Sequence, residues 1–590
     1  MSNGPLIPTP AEQKLIDAAA RGEIAEYSST DPAQNDPKQG AAWGAERSLR
    51  AELVYALATD ANSEWPVHAK GVWAKGAKII GQLDFQAAKI PKPLGLLKCR
   101  TDKPIVFRDA SAHSIYFNGS NLAEGLNGDG LRVEHGIFLD DGVMTKGEVR
   151  LLGAAVGGQL ACAGALFENP LHIGPDGKAV AGTGWALALD GVSVKGGVFL
   201  NAGFTAKGEV RLLHAIVGGQ LICEGASLEN PPRICPDGKI LPGTGRALNM
   251  DGIEVKGNVF LSGGFTAKGE VRLRGATLGG QFACEGASLE NPSGDALSMD
   301  GADIKGDVLL TGGFKASGGV RLVGASLGGQ LACEGASFKN PGNRALTLQN
   351  AAVTGPLMIR KDFRTEGKVD LANARLGTLA DDEGMWPAKG QLDLDGLTYS
   401  SIHGPCEAKK RLEWLARQPK FHPQPYEQLA RVLRQLGREH DAREILFAKH
   451  QRMRKEGGLS ASGRFSNHFV ELTVGYGYKW WRSFLWMLGL FLIGSIVAWV
   501  GWRSGVVVTA SRSRHRVASP AFHATLYSLD QFSLPPLHFG QQGDWQPVAR
   551  SRYDPRFWAF QIYFIFHALA GWTLTGLLIA ALTGIIKKET

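Results

Sequence analysis

No run of five or more Lys or Arg occurs in the 590-residue chain, although Lys and Arg outnumber Asp and Glu by 64 to 56. A net +8 spread thinly over that length lacks the basic block of a nucleic-acid footprint, so no nucleic-acid partner is expected. The excess suits membrane-flanking segments, where cations meet anionic headgroups. There is no CxxC pair, no HExxH and no His/Cys group at zinc spacing, which leaves redox dithiols and the common zinc sites without their ligands. His403, His422, His440 and His450 lack the i, i+4 pairing of a helical metal site and read as solvated. Dinucleotide and NTP sites lack their glycine turn, since neither GxGxxG nor a Walker A loop is present. No catalytic residue, metal ligand or cofactor is therefore assigned. The opening MSNGPLIPTPAEQKLIDAAARGE has no basic-then-apolar leader, so the N-terminal bulk is expected in the cytoplasm.

What is abundant is glycine: 77 residues, about twice the usual share, with no every-third period that would make collagen. The reason is a repeat. GEVRLLGAAVGGQLACAGALFENP begins at Gly147 and its relatives at Gly208, Gly269 and Gly318, at intervals of 61, 61 and 49 residues. The longer intervals contain a twelve-residue insertion after Asn-Pro, at 173–184 and 234–245, and without it the unit is 49 throughout. Strand-like pieces such as EVRL, QFAC, ALSM and DVLL, each followed by a glycine-rich corner, predict a chain wound into stacked parallel coils of about 24 residues. Alternation places Val271 and Leu273 inside and Glu270 and Arg272 outside. The aligned Cys162, Cys223, Cys284 and Cys333 then become a ladder of small buried hydrophobes in a reduced compartment. Arg150, Arg211, Arg272 and Arg321 form an outer row, with Lys146, Lys207 and Lys268 in the corner beside it. This is a candidate surface binding ladder, one that Glu148, Glu209 and Glu270 are expected to neutralise in large part.

Residues 1–60 read as helical from AEQKLIDAAARG and AERSLRAELVYALAT. Helix returns after residue 403, in CEAKKRLEWLARQP and a tetratricopeptide-like pair starting at PQPYEQLARVL, suited to capping the open edge of the last coil. Two segments, 483–502 and 557–586, are uncharged over twenty and thirty residues and flanked by Trp, as transmembrane helices are. Seven Arg between them, against three Asp, would draw the loop inward; exporting the whole solenoid is the costlier alternative, so the solenoid is placed in the cytoplasm. TVGYG at 473–477 precedes the first span and so reads as an interfacial anchor and not a channel filter. The segment 519–540 reads as an interfacial or re-entrant helix ended by Pro535 and Pro536. Gly576, Ala580 and Gly584 form a small-residue stripe that favours homo-oligomers.

The fold class is thus mainly β: a parallel β-solenoid with N-terminal helices, a C-terminal helical hairpin and two transmembrane helices. The divisions are an N-terminal helical region (1–60), the solenoid (61–403), the hairpin (404–457), a juxtamembrane segment (458–482), the first span (483–503), an inter-span loop (504–556) and the second span (557–586). PAEQKLIDAAARGE, VHAKGVWAKGAKIIGQLDFQAAKIPKPL, the GEVRL repeats, TVGYGYKWWRS, LYSLDQFSLPPLHFGQQGDWQP and GWTLTGLLIAALTGIIKK together resemble a family of bacterial membrane proteins commonly labelled membrane-associated oxidoreductase. The solenoid is also similar to bactofilin and pentapeptide-repeat folds. The resemblance implies a bacterial inner membrane, while the oxidoreductase label has no residues behind it. The expected function is a membrane-anchored, non-enzymatic scaffold or binding module with the bilayer and an unidentified protein or anionic polymer as partners. A two-span oligomeric channel and an oxidoreductase are the alternatives.

Overall fold

The computed structural model describes residues 7–174, 179–233, 241, 243–510, 521–532, 539–583 and 585, which fall into two compact units, 1–419 and 420–590. The first is a parallel β-solenoid of about 14 turns. One coil consists of four short strands, Val149–Arg150, Ala155–Val156, Leu160–Ala161 and Leu166–Glu168. Each pairs in parallel with its counterpart in the next coil, as Val149 does with Leu187 and Leu160 with Val198. Val271 pairs with Leu297 and Leu297 with Val320, steps of 26 and 23 residues that make up the 49-residue unit. The unit is thus two coils and eight strand segments. Sequence reading finds only four of them, because the remaining sides, around Thr277, Ser288, Asp303 and Lys315, present Ala, Ser and Thr with a single apolar residue each.

The inward residues are the alternating apolar ones, and they form columns along the stack. Cys162, Cys223, Cys284 and Cys333 are fully buried in one column, where Leu200, Leu261 and Leu310 of the intervening coils separate them, and Cys99 is buried at another position of an earlier coil. Burial pushes the thiols of Cys223 and Cys333 up to about 12, so they are inert hydrophobes at neutral pH. Phe314, Phe338 and Phe363 meet edge to face at 5.8 and 5.3 Å, the geometry ring quadrupoles favour. Gly269 opens its repeat at φ +123°, where a β-carbon would strike the Asn230 carbonyl of the coil below.

One asparagine explains how the 61-residue repeats fit among 49-residue ones. Asn230 Nδ2 donates to the Arg246 carbonyl 16 residues on, and Asn291 Nδ2 to the Asp295 carbonyl four residues on. The same side chain therefore closes the base of a long or a short excursion, and the insertion leaves the coil without disturbing the stack.

At the N-terminus, α1 (Pro10–Arg21) and α2 (Ala51–Ala58) are joined by strands as well as turns. Ala25–Glu26 and Ser48–Arg50 pair with Val72–Lys75 and Lys78–Ile80, so the region read as helical also supplies the first sides of the solenoid. Leu49 satisfies a helical period and a strand equally, and the unpaired sheet edge takes it. Glu12 closes a capping box with Thr9 and is fully buried against Arg50, whose guanidinium holds it at 2.7 and 2.8 Å. Burial raises its pKa, but the Arg50 side chain and the Thr9 and Arg50 amides outweigh this and lower it from 4.5 to about 2. A carboxyl depressed on folding stabilises above its unfolded pKa and loses that contribution as pH falls through the folded value. Glu12→Gln should therefore cost on the order of 3 kcal/mol at neutral pH and almost nothing near pH 2. Thermal melts of the two proteins across that range check this.

At the other end, α3 (Ala408–Leu415) lies over the last coil through Arg411 and Trp414.

The second unit begins with α4 (Gln424–Gln435) and α5 (Glu439–Glu456), packed through Leu429, Leu433, Ile445 and Leu446. After α6 (Ala461–Val474), the TVGYG phrase forms a tight turn ahead of α7 (Trp481–Arg503). Gly475 caps α6 in the left-handed region, and Tyr476 stacks on His450 at 4.5 Å. Then come α8 (Ala524–Phe532), the single turn α9 (Gln541–Asp544) and α10 (Pro555–Leu582). Helices α7 and α10, with mean hydropathies of 2.1 and 1.8, are long and apolar enough to cross a membrane. Pro535, Pro536 and Gly584 lie outside the described residues.

Candidate functional site

The predicted arginine row is real but interrupted. Arg211 stands in register with Asn249 and Asn249 with Arg272, and a small residue, Ala188, Asn249 or Ser298, separates each arginine from the next. The partners are also not the expected glutamates. Arg150 binds Asp129 at 2.8 Å, Arg211 binds Asp190 at 2.5 Å, Arg272 binds Asp251 at 2.5 Å and Arg321 binds Asp300 at 2.7 Å. Each aspartate lies 21 residues upstream, at the Asp-Gly corner of the preceding coil. Its second oxygen accepts a backbone N–H two residues beyond the arginine, from Leu152, Leu213, Arg274 and Val323. These are clamps between coils. Glu148, Glu209 and Glu270 sit deeper, and burial raises the pKa of all three.

Lys207 and Lys268 are not in corners either: they end the strands Thr205–Lys207 and Thr266–Lys268. Lys207 binds Glu168 at 2.6 Å and Lys268 binds Glu229 at 2.7 Å. Strand register extends this into an alternating rail, Glu168, Lys207, Glu229, Lys268, Glu290. Lys146 stands at the bend that heads the rail. Alternating charge cancels at a distance, so the rail offers a repetitive polar pattern and no net field for a polyanion.

Another side carries an outward aromatic row that the sequence reading missed. Trp73 meets Tyr116 at 4.9 Å and Tyr116 stacks on Phe138 at 4.6 Å, all three half-buried. Phe199 and Phe260 stand at the same strand position in every second coil after that, separated by Ala161 and Ile222. The signal is the Val-Phe pair of the GGVFL and GNVFL phrases, whose second member must point away from the core.

The third cluster lies on the corner that precedes the aromatic side, between the strands Arg132–Val133 and Ile137–Phe138. His113, Glu134 and His135 each bring one ligand atom within 4.8 Å of the others. The two rings lie 4.4 Å apart, and Ser114 Oγ holds His113 Nδ1 at 3.1 Å. His113 and Glu134 border a groove of about 570 Å3 with Lys89, Arg132 and Lys195. The histidines are 22 residues apart, one coil, and no zinc motif has that spacing.

In the second unit the polar interior gathers around α8. Ser528 Oγ donates to the Phe491 carbonyl of α7 at 3.2 Å and lies 3.4 Å from His567 Nε2 of α10. The Asp530 carboxylate accepts N–H bonds from Phe539, Gln541 and Gln542, which fixes the chain after α8. Gly494 makes this packing fit, since a β-carbon there would overlap the Ser528 hydroxyl and the His567 ring. Gly494→Leu should abolish a monodisperse detergent-solubilised protein, whereas Gly489→Leu, with nothing within 4 Å of its β-carbon, should be tolerated. Size-exclusion chromatography of the two variants reads the difference.

Comparison with family models, with curated proteins and with solved structures gave no match to the chain.

Proposed function

We propose that this chain is a membrane-anchored, non-enzymatic scaffold or binding module that presents its solenoid to a protein partner. The observation that carries the reading is the exterior: a charged rail and outward aromatics that recur along the stack, on a chain with two helices fit to span a bilayer. Repeating surfaces of this kind bind extended or multivalent partners, because each coil adds an equivalent contact. The alternating signs of the rail favour a complementary protein over an anionic polymer. Free, buried cysteines, five among the described residues, fit a reducing compartment and hence a cytoplasmic solenoid on a bacterial inner membrane. Side chains fill the space between α7, α8 and α10 around Ser528 and His567, so a pore would have to form between copies. Homo-oligomers through α10 fit this reading, since a β-carbon at the exposed Gly576 would meet nothing within 4 Å among the described residues.

Two measurements test the proposal. The full chain should resist carbonate extraction from membranes, and added protease should cut the solenoid in inverted vesicles but not in intact cells. Lys207→Glu with Lys268→Glu turns the rail wholly acidic at small cost to folding, since exposed pairs contribute about 0–1 kcal/mol. Unchanged pull-down and vesicle-flotation profiles would remove the rail as the binding surface. The arginines are unsuited to that experiment, because reversing them breaks the coil clamps.

A further inference from the structure

We propose that His113, Glu134 and His135 form a binding site for a divalent transition-metal ion. The repeat supplies the first argument. At the position of His113 and His135 the later coils carry glycine, as in Gly158, Gly196 and Gly219, whose β-carbons would strike the backbone of the coil below, and at the position of Glu134 glycine alternates with Lys195 and Lys256. The hydrogen bonds His135 N to His113 O and Gly219 N to Gly196 O show the ladder continuing through the corner. Where the pattern places glycine, two neighbouring coils bring three ligating side chains together, with imidazole above imidazole.

The chemistry of the set supplies the second. Two neutral imidazoles and one carboxylate are the donors that zinc and its neighbours accept in three-ligand sites, with further positions left for water or an exogenous ligand. The ligand atoms already lie within 4.8 Å of one another, a spread that rotation of the exposed Glu134 and His135 side chains closes around one ion. The backbone beneath them is rigid, because His113 N donates to Ile90 O and His135 N to His113 O, both at 2.9 Å. Ser114, itself buried, steadies the His113 ring as an outer partner steadies a metal ligand. Lys89, Arg132 and Lys195 flank the groove beside the site, so an anion is the natural occupant of an open position on the ion. His113 and His135 come from successive coils, and the ion would cross-link them.

The test uses the full chain in detergent without a polyhistidine tag, stripped with chelator and titrated with zinc by calorimetry and with cobalt(II) by visible absorption. His113→Ala and His135→Ala, each at an accessible corner position, should leave the melting curve of the apo-protein unchanged. The wild type should bind one more ion per chain than the His113→Ala/His135→Ala double variant, with a cobalt d–d band that the double variant lacks. Each single variant should bind that ion ~10–100-fold more weakly, and zinc should raise the melting temperature of the wild type but not that of the double variant. Equal stoichiometry and equal cobalt spectra in wild type and double variant would overturn the proposal, whatever the fate of the scaffold reading.

Discussion

Replacing Arg411 with Ala is expected to destabilise residues 1–419 by about 3–5 kcal/mol, the cost of stranding a charge whose buried partner has been removed. Arg411 rises from α3 with its side chain 2% exposed and grips Asp381 of the strand Arg375–Asp381 through both terminal nitrogens, at 2.8 and 2.7 Å. Its Nε donates to the Pro405 carbonyl at 2.6 Å, and Trp386 Nε1 gives Asp381 a further bond at 2.6 Å. Truncation leaves a carboxylate, 3% exposed, with one indole N–H in place of a guanidinium. The damage should be local first, since α3 shields the final strand Thr398–His403 and a repeat stack opens from its ends. Amide exchange should show protection lost over 398–415 while residues near Cys284 keep theirs, and the melting temperature should fall. Adding Asp381→Asn to Arg411→Met removes the stranded charge and should recover part of the loss. A single-variant cost below about 1 kcal/mol would mean that water or a neighbouring cation reaches Asp381, and that the pair belongs with ordinary surface bridges.

The sequence shows why this pair stays hidden while other features do not. Coil winding, the cysteine ladder and the outward arginines follow from a period-two pattern repeated at fixed distance, which needs no partner to be read. Arg411 sits in AKKRLEWL among other cations, and nothing local separates it from Lys409 or Lys410. Its burial is decided by Asp381, 30 residues earlier and on another element. The same holds for Arg211 and Asp190 and for His113 and His135, whose separations of 21 and 22 residues mean something only once a coil length is known. The glutamates proposed as neutralising partners stand two residues away in sequence, and the corner aspartates win because they also accept a backbone N–H alongside the ion pair. In the second unit, the lengths of the two apolar helices are legible from composition, but packing depends on glycines such as Gly494, which faces Ser528 and His567, and Gly501, which faces Phe560, and hydropathy does not distinguish them from Gly489.

Deleting residues 270–318 is expected to leave a folded solenoid with a melting temperature within a few degrees of the parent, and deleting 270–305 to leave none. In the first deletion Gly319 follows Gly269, and the strand pairing and the arginine clamp at the junction have equivalents, while the Glu270–Arg274 ion pair is lost. Val320 takes the place of Val271 against Leu248, and Arg321 that of Arg272 against Asp251. The amide of Val323 reaches the second Asp251 oxygen, as that of Arg274 did. Two coils are lost with their own interfaces, and in a stack of near-equivalent neighbours that removes stability roughly in proportion to length. The second deletion is shorter but is not a whole number of coils. It sets Val308 where Arg272 stood, apolar side outward, and leaves Asp251 without its cation. The four sides of every later coil then fall half a coil out of step with those before, and such a shift exposes an apolar ladder and unpairs a parallel edge together. Soluble yield, circular dichroism and a thermal melt of residues 1–419 bearing each deletion separate the outcomes. A stack that tolerated the shorter deletion as well would show that coil register is set by glycine corners alone, with the Asp-Arg clamps and the apolar ladder following wherever the backbone leads.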